Sequence, residues 1–388
     1  KVLGGSSSIN GLVYTRGQRE DYDHWRQLGN EGWSFDDVLP FFRKSEDQDR
    51  GESEYHGTGG PLSVSDSRTR HPLCDAFIES AVACGFKRTD DFNGPQNEGF
   101  GYAQLTARNG MRASAAVAFL RPAKNRKNLS IVTGAHATRI LFDGRRATGV
   151  EYARGGNRFV AEARGEVILS GGAINSPQLL QLSGLGPAEH LRDIGVDVVA
   201  DMPDVGANLQ DHFNIRLVYR CNRPITLNDA VRHPIRGARE VANFALRRRG
   251  FFAMGASVAT GFFKTDPALA TPDIQAGITL FSAEKIGERL HPFPGVSFIV
   301  RLLRPESRGT IMAKTADPFE APAIRPNFLH APRDGETIAR GCQMAREIAS
   351  KGPLADYVES EHIPGADVVS DDEMLDYLRR YGATSFHP

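Results

Sequence analysis

One stretch constrains the fold more than any other. Val167-Ile168-Leu169 is a short apolar run, Gly171-Gly172 interrupts it, and Ser176-Pro177 then opens a helical pattern carrying Leu179, Leu180 and Leu182. Ser176 is expected as the N-cap and Pro177 as the first helical residue. A strand that turns through paired glycines into a helix start gathers free backbone N–H groups at the positive end of a helix dipole. That is a cradle for a phosphate or a dinucleotide, and it belongs to α/β architectures. In isolation the same stretch is also compatible with an ordinary βα turn.

A second glycine-rich segment lies about 165 residues upstream, Gly4-Gly5-Ser6-Ser7-Ser8-Ile9-Asn10-Gly11-Leu12-Val13-Tyr14-Thr15-Arg16-Gly17. Paired glycines let backbone approach a ligand closely, the serines offer hydroxyls, and the Asn10 amide can meet a heterocycle edge. The plainer reading of its glycines and serines alone is a flexible loop. Glycine is the one compositional excess, 40 of 388 residues, against about 7% in an average protein.

Around these two stretches the chain has room for roughly two or three domains. Pro72 to Cys84 is expected to be a helix with Gly85 as its stop, and Arg112 to Leu120 a second helix ended by Pro122. Ile9 to Val13 looks helix-like. Leu129 to Val132, Thr138 to Phe142, Gly149 to Tyr152 and Glu166 to Leu169 are expected strands, with Asp143-Gly144 and Gly155-Gly156 as hairpin turns. Longer strands are expected at Ile215–Tyr219, Asp273–Phe281, Gly295–Leu303 and Gly309–Ala313. Helices are expected at Val241–Arg249, Thr337–Ser350 and Asp371–Arg380.

Charge and motifs exclude several classes. Lys+Arg and Asp+Glu are both 47, so no global field favours nucleic acid. No complete GxGxxG, GxSxG or HExxH is present. Cys74, Cys84, Cys221 and Cys342 lack CxxC spacing and read as reduced thiols. The location expected from them is the cytoplasm, with peripheral attachment to the inner membrane as the other option. No apolar run approaches the ~18 residues of a membrane span. Lys1 and Pro388 do not resemble natural termini, and the chain reads as a fragment.

The two glycine segments, in this order, resemble the paired signatures of the glucose-methanol-choline (GMC) oxidoreductases. Val205-Gly206-Ala207-Asn208-Leu209-Gln210-Asp211-His212 is similar to that family's VGxNLQDH stretch. Asp91-Phe92-Asn93-Gly94, Gly99-Phe100-Gly101, Arg112-Ala113-Ser114 with Ala118-Phe119-Leu120, and Pro305-Glu306-Ser307-Arg308-Gly309 resemble further family segments. The resemblance spans essentially the whole chain. Trp25, Tyr55-His56-Gly57 and Leu62-Ser63-Val64 are most similar to acceptor-linked alcohol dehydrogenases of the choline dehydrogenase kind.

The resemblance implies an α/β fold with a discontinuous FAD-binding domain, 1–34 and 126–212, and a substrate domain on an antiparallel sheet, 35–125 and 213–388. It implies FAD as cofactor, held by Val2, Gly4, Gly5, Ser6, Ser7, Asn10, Gly11, Leu12, Val13, Ala137, Gly172 and Ala173. Ala137 stands where the family usually has Val. Thr384-Ser385-Phe386-His387-Pro388 resembles the family's active-site His-Pro, which implies His387 as the base or alkoxide stabiliser when a primary alcohol passes a hydride to flavin N5. A GxGxxG unit before Lys1 and a second catalytic His or Asn after Pro388 are expected, so that the chain by itself would be inactive.

The substrate implied is a small alcohol, with a quinone, a cytochrome or oxygen as the electron acceptor. Choline is an alternative substrate, and an FAD-containing hydroxynitrile lyase of the same family an alternative reaction. A non-catalytic binding module is a third reading, opposed by the retention of His387. Against choline, Val258-Ala259-Thr260-Gly261-Phe262 lacks the acid that many bacterial members carry. Phe251, Phe252, Phe262 and Phe263 could form a cation cage or belong to the core. His212 is expected to be structural, Arg308 to anchor a strand, and His24, His56, His71 and His136 to be surface or satisfied core groups.

Overall fold

A computed structural model describes residues 1–285 and 287–387. In chain order its main elements are α1 (Arg19–Gln27), α2 (Phe35–Ser45), α3 (Pro72–Ala83), β1 (Gly99–Tyr102), β2 (His136–Asp143), β3 (Arg146–Arg154), β4 (Asn157–Glu162) and α4 (Gly172–Leu182). They continue with β5 (Phe213–Cys221), α5 (Leu227–Arg232), α6 (Pro234–Arg247), β6 (Ala259–Phe263), β7 (Ile274–Thr279), β8 (Gly295–Leu302) and β9 (Thr310–Met312). The last three are α7 (Pro332–Ser350), β10 (Val358–Ile363) and α8 (Asp371–Tyr381).

The elements group into two compact units. The first comprises Lys1–Leu129, Phe213–Arg304 and Gly335–Ala383, and the second Ser130–His212, Pro305–Asp334 and Thr384–Pro388. The chain passes from the first unit to the second after Leu129 and returns at Phe213. Residues 1–34 pack with the first unit, because Tyr14 and Arg16 hydrogen-bond Gln104 and Asn93 there. The expected division groups residues by the ligand they would touch, and chain packing groups them otherwise.

In the first unit six strands follow the order β10-β5-β8-β7-β6-β1, every neighbour antiparallel. Every residue of β6 and β7 is buried. A half-solvated antiparallel sheet would alternate instead, so both faces here are covered. On one face α3 contributes Phe77, whose ring meets Phe100 at 5.5 Å and Phe298 at 5.0 Å. Gly261 sits opposite Phe100 in the β6–β1 ladder, and a Cβ there would overlap the Phe100 ring.

The second unit carries a meander, β2-β3-β4, whose first two strands and both turns are the expected ones and whose third, Asn157–Glu162, is not; it is closed by Gly144 (φ 55°) and by Gly155 and Gly156 (φ 57° and 83°). Its α4 is tied to β2 through Ser183, whose hydroxyl accepts the Ile140 N–H at 2.8 Å. The fully buried Gln181 amide donates to the Ile311 carbonyl and accepts the Ala313 N–H, joining α4 to β9.

Some local expectations need correction. The helix at α4 begins at Gly172, four residues before Ser176, with Pro177 inside it. The Ser176 hydroxyl accepts the Gly171 N–H instead of capping at its own position. Residues 9–13 form no helix; the short turn is Gly5–Ser8. Arg112 is in a short strand, the helical turn starts at Ala116, and Pro122 opens the next turn. Leu129–Val132 and Glu166–Leu169 pair with no strand among the described residues, and Ile168 is 75% exposed. A strand needs a neighbour for its backbone groups, and this chain places none beside either run.

Candidate functional site

The N-terminal glycine segment is an exposed loop clamped at both ends. Val2, Gly5, Ser6, Asn10 and Gly11 are exposed, while Gly4, Ser7, Leu12 and Val13 are half-buried. The Arg112 guanidinium donates to the carbonyls of Ser7 and Asn10 and to the Asn10 side chain. The Ser7 hydroxyl accepts the Ala115 N–H at 2.9 Å. At the other end the Leu12 carbonyl accepts the Thr106 N–H at 2.8 Å, and Tyr14 donates to the Gln104 carbonyl.

Leu12 adopts φ 69°. A bulky side chain in the left-handed region costs about 1–3 kcal/mol and persists only where its surroundings enforce it. Here the Asn10 carboxamide oxygen accepts the Leu12 N–H at 3.2 Å, and Thr106 holds the carbonyl. Gly5, at φ 54°, faces open space.

Beneath this loop lies a charged cluster that sequence reading missed. Glu46, fully buried at the end of α2, accepts from Arg16 Nη2 at 2.8 Å, His56 Nδ1 at 3.0 Å and the Gly57 N–H at 3.1 Å. His56 Nε2 lies 3.0 Å from Asp91 Oδ2. Both ring nitrogens thus face carboxylates, a geometry that only the imidazolium satisfies with two donors. Burial opposes the charge, but the hydrogen bonds and charges of Asp91 and Glu46 outweigh it and push the His56 pKa up to about 9. The Asp91 carboxyl is held below its usual value, since its bonds to His56 and Asn93 outweigh its own burial.

Asn93 accepts the Arg16 N–H and donates to the Tyr14 carbonyl. The cluster therefore anchors the residues that follow the loop. Tyr55-His56-Gly57 and Asp91-Phe92-Asn93-Gly94 were visible as motifs. Their convergence on Glu46 and Arg16, across separations of 10 to 77 residues, was not.

In the second unit Ala137, Gly172 and Ala173 are all exposed. Gly172 has φ 81° and nothing within 4 Å of a Cβ placed on it. Gly206, in the Val205–His212 stretch, has φ 88°, and a Cβ there would overlap Gln181 and Ile311. That glycine is required by packing.

His387 is exposed and held by its backbone. Its N–H donates to Asp211 Oδ1 at 3.1 Å, and its carbonyl accepts the His212 N–H at 3.0 Å. Ser385 donates to the His212 carbonyl at 3.0 Å, and the His212 and His387 rings lie 5.3 Å apart at 77°. The Asp211 carboxyl is pushed up by burial, against lowering hydrogen bonds from Thr384 and the His387 N–H. Pro388, the second half of the expected His-Pro pair, lies outside the described residues.

The four phenylalanines form no common cage. Phe262 packs on Phe92, and Phe263 on Phe86 and Phe100, while Phe252 is 52% exposed. The Arg308 guanidinium donates to the nearby carbonyls of Pro305 and Ser307, and its own carbonyl accepts from Asn327.

Residues 1–214 and 305–388 match the two halves of the GMC oxidoreductase family model, and the chain belongs to that family. It is 39% identical over 388 residues to an oxygen-dependent choline dehydrogenase of Brucella ovis, covering all of this chain and 70% of that protein. To the mitochondrial choline dehydrogenase of Homo sapiens it is 40% identical, covering 65% of that protein.

Two solved structures share its fold. Pyridoxine 4-oxidase from Mesorbium loti is 28% identical at a TM-score of 0.86, covering 99% of this chain and 72% of its own. A formate oxidase of Aspergillus oryzae, studied for the modification of its FAD, is 26% identical at a TM-score of 0.92, covering 100% and 73%. The family and these neighbours are FAD-binding flavoproteins that act as oxidoreductases. The residues here fit such a group: all twelve expected FAD contacts are exposed or half-buried, and Gly5 and Gly172 face open space at positive φ.

Proposed function

We propose that the protein oxidises a primary alcohol to its aldehyde, with His387 receiving the hydroxyl proton. The observation that carries this reading is the clip of Asp211, His212 and His387, which fixes the backbone of an exposed imidazole from both sides. An imidazole in hydrogen-bond reach of a hydroxyl can take its proton or stabilise the alkoxide near neutral pH. Bound FAD would supply the acceptor for the hydride that leaves the carbinol carbon.

In the first unit Val2, Gly4, Gly5, Ser6, Ser7, Asn10, Gly11, Leu12 and Val13 would hold FAD, on a loop set by Arg112 and strained at Leu12. In the second unit Ala137, Gly172 and Ala173 would contact it. Residues 1–34 and 126–212 are then FAD-binding by role, and 35–125 and 213–388 substrate-binding.

A second reading, choline as the substrate, rests on the choline dehydrogenases at 39% and 40% identity. Against it, the buried Val258 stands where many bacterial members carry the acid expected for choline. An uncharged primary alcohol is the preferred substrate.

The test is anaerobic reduction of the flavin by alcohols in the full-length protein reconstituted with FAD. Bleaching by an n-alkanol or benzyl alcohol with a higher kcat/KM than choline is expected. Cyanide release from a cyanohydrin without bleaching by any alcohol would overturn the reading in favour of a lyase. His387→Ala should lower kcat by about 10²–10⁴ with FAD still bound; an unchanged rate would remove His387 from the mechanism.

A further inference from the structure

The chain as a whole is neutral, yet Arg232 to Arg249 holds six arginines against one acid, Glu240. Among the described residues none of these six guanidiniums forms an ion pair, whereas Arg16, Arg43, Arg50, Arg88, Arg304 and Arg346 all do. The segment includes all of α6, none of whose residues is buried.

At about 100° per residue, the half-buried Gly237, Glu240 and Phe244 share one side of α6. The opposite side carries Ile235, Ala238, Ala242, Ala245 and Leu246, all exposed, with Arg239 among them. Ile235 is 75% exposed and Leu246 84%, and just beyond the helix Phe252 is 52% exposed. A groove of about 790 Å³ runs along this helix. Arg236, Arg239 and Arg247 line it together with Leu246, Phe251 and Met254. Glu240 also lines it, with its carboxylate turned to the Phe251 N–H.

We propose that α6 and its flanks lie flat on an anionic phospholipid surface. An exposed aliphatic stripe flanked by arginines is the pattern of a helix that sits at the headgroup boundary. The arginines meet lipid phosphates, and Ile235, Leu246 and Phe252 reach the acyl chains. A second copy of the chain would bring two strongly cationic faces together. A polyanion without an apolar phase would leave the stripe in water. Fourteen residues rise about 21 Å, short of a ~30 Å hydrocarbon core, so the attachment is peripheral.

Vesicle sedimentation of the protein tests this. It should bind vesicles in which about a third of the lipid is phosphatidylglycerol, bind pure phosphatidylcholine weakly, and release as salt rises. Each arginine at such a surface contributes about fivefold, so Arg236→Gln with Arg239→Gln and Arg247→Gln should weaken binding about a hundredfold. Ile235→Ser with Leu246→Ser should weaken it on both lipids. Thermal melts like the parent's are expected for these exposed sites, which separates lost binding from misfolding.

No sedimentation with phosphatidylglycerol, or unaltered binding by both variants, would overturn the proposal. So would a dimer abolished by Ile235→Ser with Leu246→Ser, which would give the face to a second copy. Vesicle binding is read independently of alcohol oxidation, so either idea can fail alone.

Discussion

Glu46→Gln should expose what the buried cluster does. The substitution keeps the side chain's volume and removes one negative charge from a fully buried site between Arg16 and His56. Arg16 then faces a neutral amide, while His56 keeps the Asp91 carboxylate on its other ring nitrogen. Removing one partner of a buried ion pair typically costs 3–5 kcal/mol, because the other charge is left uncompensated.

His56 supplies an independent magnitude. Its pKa rises from about 6.5 unfolded to about 9 folded, which is worth about 3 kcal/mol at 1.36 kcal/mol per unit. A raised folded pKa gives stability that is complete below about pH 6.5 and is lost as pH climbs to about 9. His71 and His362 act below this window, and the Cys74, Cys221 and Cys342 thiols, raised by burial, add a loss only above about pH 8.5 that Glu46→Gln leaves unchanged. Burial is the leading cause that lowers both, so they lose their contribution on the acid side.

Thermal melts from pH 6 to 9.5 provide the assay. The parent should lose stability across the upper window, and Glu46→Gln, which leaves Asp91 on His56, should reduce that slope in part and lower Tm at neutral pH by on the order of 5–10 °C. FAD content should fall as well, since Arg16 follows the clamped loop. A variant melting within about 2 °C of the parent, with the same pH slope, would refute the electrostatic account.

Other perturbations reach different parts of the molecule. Arg112→Ala releases the Ser7 and Asn10 carbonyls, and FAD affinity measured by fluorescence titration should fall about tenfold or more. Gly206→Ala forces a Cβ into Gln181 and Ile311 at φ 88° and should cost at least about 2 kcal/mol in urea unfolding. Gly261→Ala should cost a similar amount through the Phe100 ring alone, and enlarging the space with Phe100→Leu should recover part of it. Burial raises the Cys221 and Cys342 thiols to about 12, so a thiol reagent at pH 8 should leave both unlabelled until the protein unfolds.

What could be read from residues alone was local or carried by a motif. The DG and GG turns define the β2-β3-β4 meander because only residues tolerant of positive φ close two-residue hairpins. Pro72 and Gly85 bracket α3 because one presets a helical φ and the other leaves it freely. Ordered motifs carried the family resemblance, and the family models match residues 1–214 and 305–388. Local pattern failed where partners decide. Ser176 and Pro177 read as a helix start, yet α4 begins at Gly172. Val167 to Leu169 has strand composition, and composition cannot provide the neighbouring strand.

The sequence by itself determined the family, the cofactor class and the small set of residues with chemistry to offer. Periodicity and motif spacing are properties of neighbours along the chain. Only the tertiary structure decided that Arg16, Glu46, His56 and Asp91 share one buried cluster, that Arg112 clamps the N-terminal glycine loop, and that α6 keeps an apolar side in solvent. Each depends on groups distant in sequence becoming adjacent in space. Charge, burial and exposure acquire energies only there, because the dielectric around a group is set by what folds over it.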